Sequence, residues 1–113
     1  LQGENDFDGI IAVADEMLAV NPQDALAQKI RLQALFDKKD YAGVIASAEE
    51  AAAGQTDEEE RSDVYFILGA AYNARTMPQQ AIDALSKVTA GANVAAAQKT
   101  VAQLKENAAK ANS

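Results

Sequence analysis

The chain has 113 residues, with 10 Lys and Arg against 17 Asp and Glu for a net charge of −7, and it contains no histidine and no cysteine. That is one domain's worth of chain, without the residues for disulfides, thiolate zinc sites or imidazole chemistry. An acidic chain with no basic stripe also argues against nucleic acid and anionic membrane surfaces, which clustered cations hold.

Alanine is the commonest residue, with 26 copies, and Leu, Glu, Gln and Lys are frequent; all lose little on entering a helix. Two prolines and six glycines punctuate the chain, and β-branched residues never cluster as strands require. The expected class is all-α. No apolar run reaches the about 20 residues that span a bilayer, so direct membrane insertion is not expected.

The chain opens on "LQGENDFDG", one step from an amphipathic segment, which suggests a piece of a longer protein. The first predicted helix, Asp6 to Val20, spaces Phe7, Ile10, Ile11, Ala14, Met17 and Leu18 helically. In "NPQD", Asn21 is placed to cap a second helix that starts at Pro22 and runs to Lys38. Leu26, Ile30, Leu32, Leu35 and Phe36 are its apolar positions, and "DKKD" breaks it. A third helix, Tyr41 to Ala53, stops at Gly54, a natural helix-ending residue.

Thr56 with Glu59 has the form of a capping box, and the acidic run from Asp57 to Glu60 suits a solvated first turn. The fourth helix then reaches Arg75, and the fifth runs from Pro78 to Thr89. After "AGAN", a sixth from Val94 to Ala111 keeps Val94, Val101 and Leu104 on one stripe above a polar remainder. About six short helices with brief breaks favour antiparallel neighbours.

Within "VYFILGAAYNARTMPQQAIDAL", Tyr65, Leu68, Gly69 and Tyr72 stand at W-x2-L-G-x2-Y spacing, and Ala81 and Leu85 at A-x3-F spacing. This stretch resembles a tetratricopeptide repeat. A glycine inside a helix costs about 1 kcal/mol, so a packing reason is expected; Gly69 leaves room for a crossing helix, with Ala81 the small residue to meet it. "DYAGVIASAEEAAAG" and "DFDGIIAVADEMLAVNP" are similar to second helices of such repeats. Leu32 takes the glycine-like slot of the central repeat. That repeat stands about 37 residues from the next, not the family's 34, with the excess assigned to a longer 55–61 connection.

The resemblance implies one domain over 1–113, a right-handed solenoid of antiparallel helix–turn–helix repeats. It would hold an orphan second helix at 6–20, repeats at 22–53 and 57–90, and a capping helix at 94–111.

Nothing points to catalysis. Without histidine or cysteine there is no ordinary acyl-transfer pair, the plentiful carboxylates sit in surface turns such as Asp57 to Glu60, and "TAGAN" lacks the Lys and Ser/Thr of a phosphate-binding loop. No enzyme activity, cofactor or metal is expected. In the family the first helices of successive repeats line a concave face that takes extended peptides. Carried onto this chain, that face comprises Lys29, Gln33, Phe36 and Asp37, then Asp63, Phe66, Ala70 and Asn73. Lys29 and Asn73 are candidates to hydrogen-bond a peptide backbone, with Phe36 and Phe66 as apolar anchors. The alternative is that both phenylalanines fill gaps between helices; Tyr65 and Tyr72 fall at packing positions.

The clamp by which some family members hold the C-terminal carboxylate of heat-shock chaperones is not expected. Asp63 stands where a lysine is needed and would repel that carboxylate. The reading is a non-catalytic interaction module for a neutral or basic peptide or protein segment. The alternative is a spacer or self-association segment of a larger multidomain or envelope protein, forming a homo-oligomer through a bare edge of Phe7, Ile11 and Leu18. The composition suggests a bacterial source, and cytoplasm and periplasm both stay open.

Overall fold

Four aspartates organise the local structure. Asp6, Asp24, Asp40 and Asp57 each stand just before a helix and accept the N–H of Gly9, Ala27, Gly43 and Glu59 respectively. Each such cap stabilises its helix by about 1 kcal/mol. The computed structural model describes residues 6–111; residues 1–5 and 112–113 of the expected single domain lie outside the described residues. Among the described residues six helices follow one another: α1 (Phe7–Val20), α2 (Ala25–Asp37), α3 (Tyr41–Gly54), α4 (Glu58–Ala74), α5 (Pro78–Leu85) and α6 (Val94–Ala111). No strand occurs among the described residues.

Several boundaries differ from expectation. Asn21 does not cap α2: its side chain accepts the Gln23 N–H at 3.1 Å inside a turn, and Asp24 takes the cap. Thr56 likewise yields to Asp57, whose carboxylate accepts the Glu59 N–H at 3.2 Å. α3 ends on Gly54, one residue beyond the expected Ala53. Residues 58–61 belong to α4, so the excess between repeats lengthens a helix and leaves a connection of only 55–57. The helix from Pro78 ends at Leu85, not Thr89, where the Ser86 hydroxyl turns back to donate to the Ile82 carbonyl at 2.7 Å.

Each helix packs on the next, and α2 also touches α4. Alanines at Ala48, Ala51, Ala52 and Ala71 let the backbones approach closely around Leu32, Leu35, Val44, Val64 and Leu68. A second cluster joins Ala81, Ile82 and Leu85 of α5 to Val88 and to Ala97 and Leu104 of α6. Tyr65 and Tyr72 pack against both clusters, the packing role expected of them. α2 and α4 each meet three other helices.

The residue filling the space at Gly69 is Leu85, not Ala81, because Leu85 lies across α4 at the crossing. Two connections close alike. Lys39 and Thr76 take φ of 69° and 59°, and the next residues, Asp40 and Met77, return their N–H to Leu35 and Tyr72 at 2.8 and 2.9 Å. That left-handed step satisfies the last carbonyls of α2 and α4 and reverses the chain.

Candidate functional site

α2 and α4 lie side by side and leave an open trough of about 490 Å³ between them. Lys29, Ile30 and Gln33 of α2 line one wall, and Asp63, Phe66 and Ile67 of α4 line the other. Asn93, immediately before α6, closes one end. The walls follow from helix spacing: residues three and four apart share a face, so 29, 30 and 33 project together, as do 63, 66 and 67.

One ammonium sits among acceptors here. Lys29 Nζ pairs with Glu60 and lies 3.2 Å from Asp63 Oδ2, while Asn93 Nδ2 donates to Asp63 Oδ1 at 3.1 Å. Burial by itself lowers the Lys29 pKa, but the hydrogen bonds to Glu60 and Asp63 outweigh it and hold the pKa above the ordinary lysine value. One cation faces two carboxylates, so this end of the trough keeps a negative balance. It can attract a cation and hydrogen-bond an amide through Gln33 and Asn93.

The structure brings Lys29, Gln33, Asp63 and Phe66 together and leaves the other expected residues outside the trough. Phe36 turns inward against the core and meets Tyr41 edge-on, with ring centroids 5.5 Å apart. That is the gap-filling role, reached because Tyr41 opens α3 directly across the turn. Asp37 caps off the α2 surface, accepting a hydrogen bond from Gln33 Nε2 at 3.0 Å. Ala70 is half-buried and Asn73 is exposed further along α4. Lys29, expected to bind a peptide backbone, is instead engaged by Glu60 and Asp63.

Ile30, Ile67 and Asn93 were missed. Ile30 carries a legible signal, since with Leu26 it lies off the buried stripe of α2 and both are exposed. Asn93 carries none, because only the fold returns it to Asp63. The expected bare edge is also corrected: Phe7, Ile11 and Leu18 are half-buried, Ile11 against the core, whereas Ile10, Val13 and Val20 face outward. Among the described residues no acidic group is arranged to hold a metal ion, and no helix is long and apolar enough to cross a membrane.

A comparison with family models, with curated proteins and with solved structures gives no match for this chain.

Proposed function

We propose that the chain is a non-catalytic, tetratricopeptide-like interaction module that holds a peptide segment in the α2–α4 trough. The observation that carries this reading is the convergence of Lys29, Gln33, Asp63 and Phe66 from two helices on one open trough. The helix pairing is consistent with stacked repeats: α2 packs on α3, α4 on α5, and α2 on α4. The close crossing of Gly69 and Leu85 supports it too.

The ligand is an extended or turn segment with an apolar side chain over Phe66 and Ile67, and a neutral or basic residue toward Glu60 and Asp63. An apolar anchor beside a few oriented polar groups is the usual chemistry of such recognition. The test is selection from a random peptide library against the full chain. Selected peptides should share an apolar residue with a nearby Lys or Arg, and Phe66→Asp should weaken them by tenfold or more. Selection of acidic peptides, or peptides indifferent to Phe66→Asp in a protein that keeps its helical circular dichroism, overturns the reading.

A further inference from the structure

The chain repeats one local device 34 residues apart. Asp6-Phe7 with Gly9-Ile10-Ile11 and Asp40-Tyr41 with Gly43-Val44-Ile45 match position by position. Asp6 accepts the Gly9 N–H and Asp40 the Gly43 N–H, both at 3.0 Å. Ala14 and Ala48, again 34 apart, are both buried. The equivalence fails on one face. Val44 is 0% exposed, in the core with Leu32 and Leu35 of α2, whereas its counterpart Ile10 is 43% exposed and nearby Val13 is 56% exposed.

Ile10, Val13 and Met17 of α1 and Ile30 of α2 therefore line an open apolar trough of about 540 Å³. Its apolar residues recur at helical spacing along α1, so its shape and pattern match another helix rather than a compact ligand. Charge narrows the occupant. α1 and its cap carry Asp6, Asp8, Asp15 and Glu16 and no cation. Where α1 is already covered, α2 answers these charges: Arg31 meets Asp15 at 2.7 Å and Lys38 meets Asp8 at 2.6 Å. On the open side Asp6 lines the trough, and Glu16, one helical step from Val13, is exposed.

We propose that this α1–α2 trough is the docking site for a basic amphipathic helix of a partner protein, laid on α1 as α2 is laid on α3. The chain supplies its own template. In α2, Ala27, Leu32, Ala34 and Leu35 face inward while Arg31 and Lys38 reach acidic side chains. The partner helix has the same form, an apolar and alanine stripe flanked by Lys or Arg. This site shares Ile30 with the α2–α4 trough but is otherwise built on α1, and its proposal stands if that one fails.

The test uses the full, isotopically labelled chain and a synthetic peptide with the sequence of residues 24–38, acetylated and amidated. Saturable amide shifts centred on residues 10–17, with a dissociation constant below about 1 mM, are expected. Val13→Asp should weaken binding at least tenfold, and Glu16→Lys, which touches only the rim, should weaken it several-fold. Phe66→Asp should leave it unchanged. No shift at several millimolar peptide, or shifts centred elsewhere, overturns the proposal. The same shifts appearing on concentrating the chain without peptide also overturn it, by assigning the trough to a second copy.

Discussion

Leu85 places its Cγ and Cδ2 2.5 Å from the point where a β-carbon on Gly69 would stand. The glycine inside α4 is thus the contact where α5 crosses it, and Leu85, almost wholly buried, has little room to withdraw. Overpacking costs about 1–3 kcal/mol, against the about 1 kcal/mol a glycine-to-alanine change returns in helix propensity. Gly69→Ala should therefore destabilise by about 1 kcal/mol in urea unfolding. In a Leu85→Ala background the same change should stabilise, because only the propensity gain remains. A loss of equal size in both backgrounds would falsify the crossing contact.

Thr76 is β-branched yet takes φ of 59°. Left-handed backbone costs such a residue roughly 1–2 kcal/mol, while glycine adopts it freely but loses more entropy on folding. Thr76→Gly should raise stability by about 0.5–1 kcal/mol, seen as a higher melting temperature. Lys39→Gly, at the equivalent turn, should act in the same direction. Unchanged or lower melting temperatures for both would refute the strain argument.

Ser62 is buried in α4, and its hydroxyl accepts the N–H of Thr89 at 3.1 Å and of Ala90 at 3.2 Å. It fastens the start of α4 to the segment joining α5 and α6. Ser62→Ala leaves two donors unpaired and should cost about 1–3 kcal/mol. Hydrogen exchange at those two amides should accelerate more than exchange at Gly43. Equal acceleration everywhere would show only a general loss of stability.

The Lys29 ammonium is held above its ordinary pKa by Glu60 and Asp63. A raised folded pKa contributes stability that is fully present below the unfolded value of about 10.4 and is lost as pH climbs through the folded value. Lys29→Met should cost at most about 1 kcal/mol, since much of the pair meets solvent. That cost should stay level from pH 7 to about 10 and shrink above it. Denaturant midpoints of both proteins at stepped pH decide the matter; a gap that instead grows above pH 10 contradicts the assigned ion pair.

Much of the secondary structure was legible because its causes are short-range. The apolar spacing of Phe7 to Leu18 and of Val94 to Leu104 located α1 and α6 to within a residue. Pro78 marked the start of α5. The misplaced caps were local competitions, since Asn21 and Asp24, or Thr56 and Asp57, offer similar oxygens close together and turn geometry selects one. Half of the trough was legible for a similar reason. Lys29 and Gln33, or Asp63 and Phe66, share a face by spacing alone once two helices are assumed to sit side by side.

What the sequence by itself determined is where helices run and which residues are apolar, because periodicity, prolines and aspartates act within a few residues. What only the tertiary structure decided is which apolar surface is covered. Ile10 and Val44 occupy equivalent places in similar helices, yet one is open and the other closed because α2 lies over α3. Phe36 and Phe66 both looked like groove residues and both pack partly against the core, but Phe36 meets Tyr41 whereas Phe66 also lines the trough. Burial depends on which neighbouring helix folds over a face, and the spacing within a single helix does not carry that pairing.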